Sequence, residues 1–420
     1  MRTLRFLHLA DVHLDTPFYG KDEYWRTRLR KAVRAAFARG IDLAIARQAQ
    51  AVLVAGDLFD NELLTFATEQ FLLGQVGRLQ DAGIPFFYAT GNHDPGRANY
   101  RAHNLVWPAN VHIFRKGHAE EVPIKDASGE TVGWITGAGH VTNREERNLA
   151  AGFGRAQGGL PHVALLHTQV VSARGAENHN RYAPATLDDL AAGGFDYWAL
   201  GHIHLRQQVA PELPAWYAGN IQGRNPRETG FRGALWVEVQ KGAPVEPEFV
   251  PLGELVWQTV EAVCPPEAAT LDELVRGLVG QMEAVLSRGP DVLGDLDPEY
   301  LLRVVLTGRS LLAGQLRDPV ELAILAAEVE HATGVPWVEI RLGSITRPLD
   351  LAALRQGPSV LATALDLMET AKGDEDLLRT LVPEQLARDL PPEVRAVYLR
   401  ELLDGLDGEL AERLVPGDER

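Results

Sequence analysis

Short apolar runs that stop at glycine or at a polar pair recur along the first half of the chain, and longer segments with helical spacing of apolar positions lie between them. Arg5–Ala10, Val52–Ala55, Pro85–Thr90, Val132–Thr136, Val163–Leu166 and Tyr197–Leu200 read as strands. Trp25–Gln50 and Leu63–Ala82 read as helices. Alternation of this kind predicts an α/β fold, and the glycine- and proline-divided short strands from Val111 to Glu248 predict a second sheet layer. From Trp257 the pattern becomes strand (Gln258–Val263), helix (Leu271–Leu286), strand (Leu301–Thr307), helix (Pro319–Ala332) and strand (Pro336–Leu342), a small βαβαβ unit. Beyond Pro348 the chain reads as wholly helical. Val360, Leu361, Ala364, Leu365 and Met368 recur at helical spacing within Ser359–Ala371, and a similar pattern runs through Glu393–Leu406. The expected division is 1–251, 252–345 and 346–420.

Composition changes this picture in two places. At 420 residues the chain is too long for one core, and its 45% hydrophobic content is ordinary for a globular protein. No stretch reads as a membrane span or leader. The single cysteine, Cys264, excludes an internal disulfide framework and suits a reducing cytoplasm, which sets the expected location. The net charge of −16 argues against a polyanionic partner until its distribution is counted. Residues 1–250 hold 26 basic and 26 acidic side chains, whereas 251–420 hold 15 and 31. If acids of the first part bind cations, that part becomes net positive and can meet a polyanion.

The candidate chemistry sits at the ends of the strands. Asp57 closes the most apolar run, where open α/β sheets place ligands, and a carboxylate there is costly without a cation or donor beside it. Asp11 and His13 form Asp-x-His, able to grip one ion from an extended chain, in which i and i+2 point the same way. Gly91-Asn92-His93-Asp94 offers a neutral oxygen, an imidazole over the substrate side, and in Asp94 an acid to hold that ring. His140 and His167 each end a strand. His167 is taken as the ligand because its strand is more continuously apolar, with His140 as runner-up. Gly201-His202-Ile203-His204 turns two imidazoles to one side, each able to serve a different ion. Arg26, Arg30 and Arg34 recur every four residues as a solvated helix face, with phosphate contact as the functional alternative. Arg224, Arg227 and Arg232, interleaved with glycines, suit phosphate contact at the site mouth.

Taken in order, these five motifs over roughly residues 1–250 resemble the calcineurin-like metallophosphoesterase superfamily. The resemblance implies a two-sheet sandwich flanked by helices, to which the patterns read above add a small α/β capping domain and a helical C-terminal tail. It also implies a two-metal centre at one rim. Carried over by motif, one ion takes Asp11, His13, Asp57 and His204, and the other takes Asp57, Asn92, His167 and His202. His93 stays unligated, supported by Asp94, and both act in catalysis; His140, Arg224 and Arg227 are left for the substrate. Oxygen and imidazole ligands without thiolate suit Mn²⁺, Fe²⁺ or Zn²⁺. Members with a ferric ion carry Tyr three residues after the bridging Asp, where this chain has Asp60. That departure favours two divalent ions, with Mn²⁺ chosen because nuclease members prefer it.

The added α/β unit, the GDLFD string and the Tyr217–Arg224 segment resemble SbcD-type DNA double-strand-break repair nucleases. That branch implies a DNA exonuclease partnered by an SMC-like, SbcC-type ATPase held by the C-terminal helices. It is compatible with a homodimer and needs no membrane. The alternatives are a phosphodiesterase or phosphomonoesterase of small phosphoesters, and a non-catalytic repair scaffold. The C-terminal helices have an alternative too, folding back on their own chain.

Overall fold

A computed structural model describes residues 2–60, 64–97, 104–126, 128–178, 180–286, 296–348, 351–356, 359–381, 392–403, 406–407 and 410. The chain forms two compact units, Met1–Gln258 with Pro290–Leu301, and Thr259–Gly289 with Leu302–Arg420. The division falls inside a strand, Leu255–Val263, seven residues later than the charge and hydropathy patterns suggest.

The first unit is a sandwich of two six-stranded sheets. Strands β1 (Thr3–Leu9), β2 (Ala51–Ala55), β3 (Phe86–Ala89) and β4 (Val111–Phe114) run parallel, and β11 (Gly233–Gln240) and β12 (Glu248–Pro251) extend the sheet antiparallel on the β1 side. The second sheet takes β5 (Glu120–Lys125), β6 (Thr131–Ala138), β7 (His162–His167), β8 (Tyr197–Gly201), β9 (Gln207–Gln208) and β10 (Ala215–Tyr217). Its order is β5-β6-β7-β8-β10-β9, parallel through β6, β7, β8 and β10. This corrects the expectation that 111–248 makes one layer: β4 and β11 join the first sheet, because each finds a free edge there.

The two sheets meet through β2 against β7 and β8. All five residues of β2 are buried, as a strand covered on both faces requires. Leu4, Phe6, Leu53, Phe87, Phe114, Leu165 and Tyr197 fill the space between the sheets. Helix α1 (Glu23–Ala46) starts where the Asp22 side chain accepts from Trp25 N at 2.8 Å, and it packs on β1, β11 and α2 (Phe66–Asp81). With the turns on one side held by the cores of two sheets, the C-terminal ends of β1, β2, β3, β7 and β8 open at one rim.

The second unit contains most of a three-stranded sheet in the order β13 (Leu255–Val263), β14 (Glu299–Arg309), β15 (Trp337–Thr346), with α4 (Leu271–Leu286) and α5 (Pro319–Thr333) between the strands. Helices Val360–Gly373, Glu375–Thr380 and Pro392–Leu403 pack on one another. Leu361 and Leu365 form the buried face of the first of these, while Val360 is exposed. The rest of the expected tail, including 382–391 and 411–420, lies outside the described residues. Among the described residues no helix is long and apolar enough to cross a membrane.

Candidate metal centre

Backbone strain delivers the first side chains. Asp11, His13 and Asp57 all have left-handed backbones, with φ of 50°, 52° and 49°, a conformation costing roughly 1–3 kcal/mol for such residues. The expectation of an extended Asp-x-His is therefore corrected: both residues lie beyond β1, and left-handed turns aim them together. The strain is held in place by Asp11 N bonding Gly56 O at 3.2 Å and His13 N bonding Asp57 O at 2.9 Å, which tie the turn after β1 to the turn after β2. Gly91 is required where β3 ends, since a Cβ there would lie 2.2 Å from Asp57 Oδ1. Gly56, at φ 83°, leaves the space that His167 fills.

The five loops converge. One nitrogen or oxygen from each of Asp11, His13 and His204 lies within 4.8 Å of the others, and the same holds for Asp11, Asp57 and His167. Asp57 Oδ2 is 3.4 Å from His167 Nε2 and 3.8 Å from His13 Nε2, while its Oδ1 accepts from His93 N at 2.9 Å. The Asn92 side-chain oxygen stands 3.0 Å from His167 Nε2 and 3.2 Å from His202 Nδ1. His13 Nε2 and His204 Nε2 face each other at 3.3 Å. All seven expected ligands thus meet at one place, with Asp57 between the two groups.

The electrostatics fit cations. Asp11 and Asp57 are only 1% and 2% exposed. Burial, and then the charge of Asp57, push the Asp11 carboxyl well above its ordinary value. Burial also opposes the charge of Asp57, yet His167, His93 and His13 hold it below the usual carboxylate range. Burial drives His13 down to about 3, so its imidazole is neutral and keeps a lone pair. Two crowded carboxylates, neutral imidazoles and an amide oxygen without thiolate make a donor set for two divalent ions of the Mn²⁺, Fe²⁺ or Zn²⁺ kind.

Around this core two expectations are corrected. Asp94 does not hold the His93 ring. Its carboxylate accepts from Gly91 N at 2.6 Å and Phe59 N at 3.1 Å and meets the Tyr88 hydroxyl, so it braces the loops. Asp60 faces His93 Nδ1 instead, at 2.8 Å. Burial opposes the His93 charge, but Asp57 and Asp60 outweigh it and push the ring up to about 9. His140 is not at the substrate side either. It is wholly buried, with Nε2 2.7 Å from the His167 carbonyl, and so steadies the loop carrying His167.

The arginines divide. Arg224 and Arg227 line a cleft of about 690 Å³ together with Asn92, His93, Tyr182 and His202. Arg224 Nη1 is 3.5 Å from Asp60 Oδ2. Arg232 is nearly buried and donates to the carbonyls of His204 and Thr229. On α1, Arg30 donates to Thr16 O at 3.0 Å and Arg34 pairs with Asp15 at 3.1 Å, so neither belongs to a purely solvated face; both tie down the loop that follows Asp11 and His13.

Comparison with known proteins gives the family. The family described as Calcineurin-like phosphoesterase matches residues 4–206. The uncharacterized metallophosphoesterase YhaO of Bacillus subtilis is 34% identical over 308 residues, covering 71% of this chain and 74% of that protein. The chain belongs to the calcineurin-like phosphoesterase family. It is therefore a metal-dependent phosphoesterase, a hydrolase, of a family that works with a dinuclear metal centre. The DNA double-strand break repair protein Mre11 of Aeropyrum pernix is 26% identical over 94% of this chain and 100% of its own length. The D component of the nuclease SbcCD of Escherichia coli is 26% identical over 52% of this chain and 60% of its own.

Two members of this phosphoesterase site escaped the sequence reading. Asp60 was legible only as the third residue after Asp57. Glu228, in the glycine-interrupted segment after β10, has its Oε1 2.8 Å from His204 Nδ1. Burial opposes its charge, but the bond to His204 and the nearby Arg224 keep its carboxyl below the usual range. The signal for Glu228 was its place four residues after Arg224, inside the segment already singled out.

Proposed function

We propose that the chain is a DNA exonuclease that hydrolyses phosphodiester bonds with two Mn²⁺ ions. Asp11, His13, Asp57 and His204 are assigned to one ion, and Asp57, Asn92, His167 and His202 to the other. The observation that carries the choice of DNA is the extent of likeness to the Mre11 of Aeropyrum pernix, which continues past the phosphoesterase fold over 94% of this chain. The name of the SbcCD nuclease supports the same reading. The cleft supports it too: with Arg224 and Arg227 on its wall, it offers guanidinium groups to backbone phosphates.

A pair of divalent cations supplies the Lewis acidity that phosphoester hydrolysis needs. The rest falls to the chain. Asp60 holds His93 by Nδ1, leaving Nε2 to carry a proton towards the leaving oxygen. Arg224, close to Asp60, orients the phosphate beside that ring. Residues 252–345 act as the accessory unit that selects the duplex, and 346–420 docks an SMC-like ATPase.

The test is a nuclease assay on end-labelled linear duplex and hairpin DNA with each divalent metal in turn. Degradation from the ends with Mn²⁺ is expected. Intact DNA alongside rapid hydrolysis of a chromogenic phosphate diester overturns the choice of DNA.

A further inference from the structure

We propose that Glu228 is a positioning residue for the cation pair: it fixes the tautomer of His204 and so turns the Nε2 lone pair towards the ion. Resting on the two-metal reading above, this adds a residue that does not itself touch metal or substrate.

The argument begins with what a carboxylate can do. An ionised Glu only accepts hydrogen bonds, so a ring nitrogen 2.8 Å from Oε1 must bring the proton. His204 therefore carries its hydrogen on Nδ1, and Nε2 is bare. That nitrogen points to the right place, 3.3 Å from His13 Nε2 and 3.8 Å from Asp11 Oδ1. The carboxylate is itself held. Its Oε2 accepts from Asn220 Nδ2 at 2.7 Å and from the backbone N–H of Arg224 at 2.7 Å, and the residue is only 9% exposed. Neither the tautomer nor the ring orientation is left free, the arrangement by which an outer carboxylate tunes a metal-binding imidazole.

Three donors converge on two acceptor atoms, and this makes one substitution informative. In Glu228→Gln the side chain keeps its shape but one end becomes a donor. If its oxygen serves Asn220 and Arg224, its NH₂ turns to His204, Nδ1 becomes the acceptor and the proton moves to Nε2, where it blocks the cation. If its oxygen serves His204 instead, the buried N–H of Arg224 faces another donor. A residue that merely braced the loop would act through Asn220 and Arg224 and leave the ring indifferent.

The experiment uses the full chain, stripped of metal and titrated with Mn²⁺ by calorimetry and electron paramagnetic resonance. Wild type is expected to take two ions. Glu228→Gln should weaken one of the two sites by about 10–100-fold and leave the other unchanged. Asn220→Ala, which removes one brace of the same loop, should change Mn²⁺ affinity far less. Imidazole nitrogen NMR of the metal-free wild type should place the His204 proton on Nδ1, which keeps the inference testable if a variant fails to fold.

Equal Mn²⁺ binding by wild type and Glu228→Gln overturns the inference and leaves the two-metal reading standing. So does an Nε2–H tautomer in wild type, or an equal loss in Asn220→Ala. A wild-type chain that binds no Mn²⁺ overturns both.

Discussion

The rim of the sandwich and the three-stranded unit that begins in β13 both alternate strands with helices, but they distribute polar groups differently. The rim buries Asp11, His13, Asp57, Asp60, Asp94, His140, His167, His202 and Glu228 within a few loops. Among the described residues of the second unit, Ser310 is the buried polar side chain. Its charged pairs, such as Arg303 with Glu339 at 2.7 Å, stay partly in water. Left-handed non-glycine residues follow the same division, since every one of those described lies in the first unit. Burying a charge and straining a backbone both cost stability. A chain that gathers most of both in one rim marks where its chemistry is done.

The sharpest way to break this comparison is at Asp57. Asp57→Ala is expected to lose bound metal and to lower turnover by roughly 10³-fold or more, measured by metal analysis and phosphodiester hydrolysis. Retention of both ions would remove Asp57 from its place between them. His93→Ala comes next, expected to keep its metal yet lose about 10²–10⁴-fold in turnover; a variant with normal rate and full loading would show that the His93–Asp60 pair is idle. Arg224→Ala should cost about 10–100-fold in kcat/KM, mostly through KM, the loss expected if the proposed phosphate contact is a charged hydrogen bond of about 1.5–3 kcal/mol.

A smaller effect concerns pH and sets the sandwich against the second unit. His8 is wholly buried against Tyr197 and the Leu200 carbonyl, and burial drives its pKa from 6.5 down to about 3. The unfolded chain therefore takes up a proton near pH 6.5 that the folded chain refuses until about pH 3. Stability from this group is complete above pH 6.5 and falls as pH drops towards 3, by up to about 1.4 kcal/mol per pH unit. His8→Phe should flatten the acid slope of the unfolding midpoint, followed in excess chelator, by one proton's worth; an unchanged slope would show that His8 does not carry it. The smallest effect is expected from Arg303→Ala in the second unit. A partly exposed pair contributes about 1 kcal/mol or less, so thermal unfolding should barely move.

How much of this was legible depended on distance along the chain. Gly-Asn-His-Asp and Gly-His-x-His were readable because each is contiguous and follows an apolar strand, so local spacing already implies convergence at the strand ends. The choice of His167 over His140 followed from strand continuity, and the structure brings His167 to Asp57 and Asn92 while His140 is buried behind it. Asp94 misled because adjacency in sequence was read as contact, whereas the side chain after His93 turns back towards Phe59 and Gly91. Glu228 offered only its place after Arg224, because its role exists only once the segment after β10 folds back on His204, 24 residues away. The places of β4 and β11 in the first sheet were equally unreadable, since strand order is decided by which edge is free.

The left-handed turns at Asp11, His13 and Asp57 carry one more implication. Interlocked backbone bonds between those turns hold them to one another through the main chain itself, so loading should need no slow rebuilding of the loops. A protein stripped by chelator should recharge at the pace of diffusion and ligand dehydration, ready to work again within one mixing time.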